Sequence, residues 1–204
     1  MKKIIFLIIP LLLYSCNGGK RTISLKENYA PQGVAVLDQG EPAFSDWFDN
    51  TTMRLDLYHS GNAGEDHFSF DIALNDGVWP GSLTHLIDPL KRGPYMMEVT
   101  DAATGRLLYS RGFASVFGEW QTTPEADTQW GTFSESLRFP WPKKPVNVII
   151  SKRDALNDFA QIWHCTVDPK AHNVNPSLIT HTEKTDVIHG SGDPSERIDF
   201  VILG

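Results

Sequence analysis

Short runs in which apolar and polar residues alternate, separated by turn-forming residues, recur along most of this chain, and no long amphipathic helix interrupts them. Met53, Leu55 and Leu57 alternate with Arg54 and Asp56, and Phe68, Phe70, Ile72 and Leu74 alternate with Ser69, Asp71 and Ala73. A period of two sends one set of side chains to a core and the other toward water, the pattern of an antiparallel sheet with one wet face. Tyr95, Met97 and Val99 lead into Asp101-Ala102-Ala103-Thr104-Gly105 and then residues 106–113, which predicts a hairpin. Phe133, Leu137 and Phe139 share a face, as do Val146, Val148 and Ile150. Between them, Pro140-Trp141-Pro142-Lys143-Lys144-Pro145 is expected to be a connection, because proline lacks the amide hydrogen that a ladder uses. Short helical turns are expected near residues 83–90 and 154–159. Seven to nine mostly antiparallel strands of this kind predict an all-β fold, a β-sandwich.

The two ends read differently. Met1-Lys2-Lys3 runs into an apolar stretch from Ile4 to Leu13 that stops at Tyr14-Ser15-Cys16. A bilayer-spanning helix needs about 20 apolar residues, so this is the pattern of an export signal. It resembles the bacterial lipobox, which makes Cys16 the expected site of cleavage and lipidation. The expected organisation is a lipoprotein signal peptide over 1–15, a flexible tether over 16–22, the β-sandwich over 23–190, and over 191–204 a linker with one further strand. That strand, Arg197 to Gly204, is almost continuously apolar, as strands buried on both faces are.

Charge narrows the partners. Removing Lys2 and Lys3 takes the 18 basic residues to 16 against 25 acidic ones, so nucleic acid, which needs a basic footprint, is not an expected partner. With Cys16 lipidated, Cys165 has no partner in the chain; alternation groups it with Trp163 and Val167, as a small core residue rather than a nucleophile. Seven histidines are present without a His-Glu-x-x-His motif, and His164, His172, His181 and His189 fit no compact ligand spacing. They read as surface or loop residues. Glu119 with Asp127 or Glu135 could form an acid pair of the kind that hydrolyses glycosides, though turn formation accounts for such residues more simply. Of six tryptophans, Trp47, Trp79, Trp120, Trp130 and Trp141 gather in polar connections and Trp163 falls within a strand. They read as plugs for the ends of the sandwich, with Trp79, Trp120, Trp130 and Glu119 as the candidate ligand-binding surface.

Several segments carry a resemblance. Thr51-x-Met53-Arg54-Leu55-Asp56, Trp79-x-Gly81-Ser82 ahead of Leu86-Ile87-Asp88, Gly93-x-Tyr95, and Leu108-Tyr109-Ser110-Arg111-Gly112-Phe113 form one part of it. The other is Phe117-Gly118-Glu119-Trp120-Gln121-Thr122-Thr123-Pro124-Glu125-Ala126 with Phe139-Pro140-x-Pro142-Lys143. Together they resemble the N-terminal domain of the IgA-peptidase family of metallopeptidases, family sixty-four. The resemblance implies a β-rich domain ahead of a zinc peptidase domain whose opening strand is similar to residues 198–204, with the zinc ligands beyond Gly204. It therefore implies no catalytic residue, no metal ligand and no cofactor in this chain. The expected role is a non-catalytic accessory domain, held to a membrane of the cell envelope through lipid on Cys16 and facing the periplasm or the exterior. A glycan- or protein-binding lipoprotein is one alternative. A fragment that works with a separately encoded peptidase catalytic part in trans is the other.

Overall fold

A computed structural model describes residues 40–178 together with Gly190, Gly192 and Asp193. The signal segment, Cys16, the tether, the expected start of the sandwich near Ile23, His181, His189 and the apolar run from Arg197 lie outside the described residues. A single helical turn, α1 (Phe44–Trp47), leads into β1 (Phe48–Gly61), followed by β2 (Asp66–Val78), β3 (Tyr95–Asp101) and β4 (Leu107–Phe113). A second short helix, α2 (Val116–Trp120), precedes β5 (Gly131–Pro142), β6 (Val146–Arg153), β7 (Phe159–Val167) and β8 (Val174–Leu178). The strands form two four-stranded sheets, ordered β5-β1-β2-β8 and β4-β3-β6-β7. All pairings are antiparallel except that of β8, which runs parallel to β2. The described residues thus form an all-β sandwich of eight strands.

The core follows from the alternation. Met53, Leu55 and Leu57 of β1 are buried together with Val99 of β3 and Val148 and Ile150 of β6. Each such aliphatic side chain contributes about 2 kcal/mol by leaving water. The β3–β4 hairpin is closed by Asp101, whose carboxylate accepts from Thr104 N at 3.0 Å and Thr104 Oγ1 at 2.6 Å. Gly105 supplies the positive φ of 73° that the turn needs.

Three expectations are corrected. Phe68, Phe70, Ile72 and Leu74 do not share a face: the β1–β2 register shifts between Asp56↔Ile72 and Leu57↔Phe70, leaving Asp71 as an extra residue. This bulge reverses the alternation, so Phe68 and Phe70 pack inward, Ala73 takes the next core position, and Ile72 and Leu74 turn to the outer face. The segment from Pro140 is not wholly a connection either. Pro140-Trp141-Pro142 completes β5, with Pro140 opposite Thr52 and Pro142 opposite Phe48, and only residues 143–145 connect to β6. Proline is admitted there because β5 is an edge strand with no ladder to complete on its free side.

The helical turns lie elsewhere than expected, at α1 and α2. Residues 83–90 form bends, because side chains claim the backbone donors that a helix would use. Glu41 accepts from Leu86 N and Ile87 N, and Asp88 accepts from Leu90 N and Lys91 N. Near 154–159 a tight turn closes from Asn157 N to Asp154 O at 3.1 Å.

Candidate functional site

The inward row of β1 that begins Met53, Leu55, Leu57 continues with His59, so strand geometry places an imidazole where a hydrophobic residue is expected. His59 is 0% exposed. Its ring stacks on Phe68 at 3.8 Å, meets Phe117 of α2 at 4.0 Å and takes Tyr95 edge-on at 5.4 Å. Nε2 is 2.5 Å from Asp66 Oδ1, and Nδ1 is 3.3 Å from both Glu135 Oε1 and Ser115 Oγ. The other Asp66 oxygen accepts from the Tyr95 hydroxyl at 2.9 Å and from Lys152 Nζ at 2.5 Å. Lys152 also donates to Gln121 Oε1 at 2.8 Å, and Gln121 Nε2 donates to the carbonyls of Asn62 and Glu65. One polar network therefore ties β1, β2 and β5 of the first sheet to β3 and β6 of the second and to the loop after α2.

The electrostatics follow from this geometry. Burial disfavours a charged His59, but hydrogen bonds to Asp66 and Glu135 and the charges of both carboxylates outweigh it, holding the imidazole above its ordinary pKa. Burial likewise opposes ionisation of Asp66, yet its bonds to His59, Lys152 and Tyr95 hold it below the usual carboxylate range. Burial, then the Asp66 charge, push the Tyr95 phenol far up, so it remains a donor.

Ser115, His59 and Asp66 have the residue types of a serine hydrolase triad, but the arrangement is not one. In a triad the nitrogen facing the serine is kept for its hydroxyl, whereas Nδ1 of His59 is shared between Ser115 Oγ and Glu135 Oε1, both at 3.3 Å. Both ring faces are covered, and Ser115, itself 8% exposed, spends its oxygen on the amide of Gly118 as the N-cap of α2. The network is a structural pin.

The remaining site residues are scattered. Glu135, considered above as half of an acid pair, faces His59, whereas Glu119 and Asp127 are exposed. The histidine reading is corrected at His59; His67, His85, His164 and His172 are exposed. Among the described residues, no group of three or more His, Cys, Asp or Glu side chains is placed to hold a metal ion. Cys165 packs half-buried against the core beside Trp163, and burial pushes its thiol up to about 12.

Of the four residues singled out as a ligand surface, Trp79 is set apart from Glu119, Trp120 and Trp130, which lie at one end of the sandwich. Trp79 is 8% exposed, donates Nε1–H to Ser82 O at 3.2 Å and lies edge-on to Tyr109 at 5.8 Å. It follows the end of β2, where Val78 is opposite Thr51. Trp120 packs on Phe117 and Phe133, both at 5.6 Å, at the other end of β1, where Gly61 is opposite Gly131. Ten residues of strand separate Thr51 from Gly61, roughly 30 Å at the rise of an extended chain. Trp130 is 59% exposed and stacks on His67 at 5.8 Å. Trp79 instead walls a cleft of about 380 Å³ where the edge strands β4 and β5 part, floored by Met97 and Leu137 and rimmed by Arg111 and Arg138.

Sequence reasoning missed His59, Asp66, Tyr95 and Lys152. The available signal was a polar residue at an inward position of an otherwise apolar row.

Comparison with known proteins adds one family. The family model described as Peptidase M64 N-terminus matches residues 43–164, from just before α1 into β7. No curated protein matches the chain. The match spans more than half of the sequence and most of the sandwich, so the chain belongs to the peptidase M64 family, through its N-terminal domain.

Proposed function

We propose that this sandwich is a non-catalytic accessory domain of an IgA-type zinc metallopeptidase, anchored by lipid on Cys16, that supports the peptidase or engages its substrate. The observation that carries the reading is the match to the family's N-terminal domain over residues 43–164. The closed network around His59 supports it, because its acid, base and hydroxyl groups are bonded to one another beneath aromatic rings rather than presented to a substrate. The cleft between β4 and β5 is the place for an extended polypeptide: it has an apolar floor and two guanidinium groups at its rim.

The test is hydrolysis of casein and of immunoglobulin by the purified, zinc-loaded chain. The expected result is no turnover above buffer. Turnover that a chelator abolishes would overturn the reading. For the anchor, cells labelled with a radioactive fatty acid are expected to incorporate it into the protein and to lose that label with Cys16→Ala; equal labelling of the variant would overturn the lipid assignment.

A further inference from the structure

Beyond the His59 end of the core, the outer face of the first sheet carries a group of side chains to which the accessory-domain reading gives no part. Ser60 is opposite both His67 of β2 and Thr132 of β5, and its hydroxyl donates to Thr132 Oγ1 at 3.0 Å. One outward row further in, Tyr58 is opposite Ser69 and Ser134. At the margin, Trp130 and His67 stack with an interplanar angle of 13°. His67 Nε2 is 3.1 Å from Glu65 Oε2, which fixes the imidazole under the indole. Exposure decides what this group can do: Trp130 is 59% exposed and Tyr58 45%, so two aromatic surfaces stand in water about 7 Å of strand rise apart, with hydroxyls between them.

Leaving an indole in water forgoes about 2 kcal/mol or more of burial, and the ring is held rather than loose. A protein partner would favour a contiguous apolar patch with a desolvated centre. Here the rings are separated by Ser60 and Thr132, Ser69 and Ser134 flank Tyr58, and Asp56 is paired with Arg54 at 2.9 Å. An anionic ligand would find no free cation among these residues, in a chain of net charge -7. A polyhydroxylated, uncharged ligand suits both halves of the surface, with ring C–H faces against the aromatic side chains and hydroxyls exchanging hydrogen bonds with serine and threonine.

We infer that Trp130, His67, Tyr58, Ser60 and Thr132 form a binding surface for neutral oligosaccharide. The rings supply apolar contact and orientation, the hydroxyl row supplies register along the sugar chain, and Glu65 locks His67 as the back wall of the platform. The assignment stands apart from the accessory-domain reading, since either could fail alone.

The experiment is affinity gel electrophoresis of the full chain through gels containing a soluble mannan, a galactan, a β-glucan or, as an anionic control, polygalacturonate. At least one neutral polymer is expected to retard the protein, with polygalacturonate having no effect. Trp130→Ala is expected to raise the Kd about tenfold or more, as the loss of an anchoring aromatic does. Trp130→Tyr, which keeps a ring, retains most of the affinity, and Leu156→Ala, at a site 82% exposed outside this group, leaves it unchanged. Circular dichroism establishes that each variant is folded. No retardation by any neutral polymer overturns the inference, as does retardation that survives Trp130→Ala combined with Tyr58→Ala, or a preference for polygalacturonate.

Discussion

His59 shows how much one residue can hold together. Its two nitrogens serve two carboxylates seven and 76 residues away in sequence, and both of its faces carry aromatic rings. Replacing it by leucine keeps bulk in the core but leaves Asp66 and Glu135, whose side chains are 10% and 13% exposed, without the imidazole that bridges them. Removing one member of a buried ionic set costs about 3–5 kcal/mol, because the remaining charge is still desolvated. His59→Leu is therefore expected to lower stability by about that amount, read as a fall in the urea midpoint at unchanged m. A loss below about 1 kcal/mol would show that the network contributes little. The alternation of β1 already marked position 59 as inward. What it did not carry was the identity of the partners, since nothing within a few residues of His59 announces Glu135 or Lys152. Motif and spacing along the chain therefore place the histidines at the surface, because neither carries information about a buried partner on another strand.

At the scale of strands, period-2 alternation identified β1, β3 and β6, because the extra residues at register shifts along their core positions lie on the partner strands, Asp71 of β2, Leu108 of β4 and Ile162 of β7. It failed where register breaks. A bulge at Asp71 adds one residue without disturbing the written pattern of Phe68, Phe70, Ile72 and Leu74, so the sequence looks regular where the strand is not. Proline was informative in the opposite direction: it read as the end of a strand, whereas on β5 it marks an edge. That edge carries a prediction of its own. Pro140 and Pro142 are both buried by their rings, yet they deny backbone donors to any strand that would add to β5. Pro140→Val with Pro142→Val keeps comparable bulk and restores two amide hydrogens. The variant is expected to self-associate with rising concentration in sedimentation velocity while the parent chain does not; a monomeric variant would show that the prolines serve packing only.

For the molecule as a whole, the buried network joins the two sheets, so its titration belongs to global stability. Asp66 titrates below its ordinary value of 3.8; its stabilising contribution is complete above that pH and is lost as pH falls through the depressed folded value. His59 titrates above its ordinary value of 6.5; its contribution is complete below that pH and is lost as pH rises through the elevated folded value. The groups that set these limits are Asp66 and Glu135 against the imidazole, with Lys152 and Tyr95 on the far side of Asp66. The melting temperature is expected to be highest between these two pH values and to decline on both sides. Asp88, held low against burial by the amides of Gly112, Leu90 and Lys91 and by the Arg111 charge, adds to the acid limb. The alkaline limb that begins near 6.5 should vanish in His59→Leu, and the acid limb should shrink, because the bond to His59 is the first of those that hold Asp66 low; persistence of the alkaline limb would place the titrating group elsewhere. The fold class was legible because it depends on pattern. The candidate site was not, because it depends on which residues five separate strands bring to one level.

The parallel placement of β8 has a consequence for how the molecule presents itself. Since β1 runs antiparallel to β2 and β8 runs parallel to it, the backbone comes into the sandwich at Phe48 and goes out at Leu178 on the same side, beside Val78. Strand β1 thus begins, and β8 ends, at the pole of Trp79 and the base of the cleft, whereas α2, Trp130 and His67 cap the opposite pole like the head of a pin.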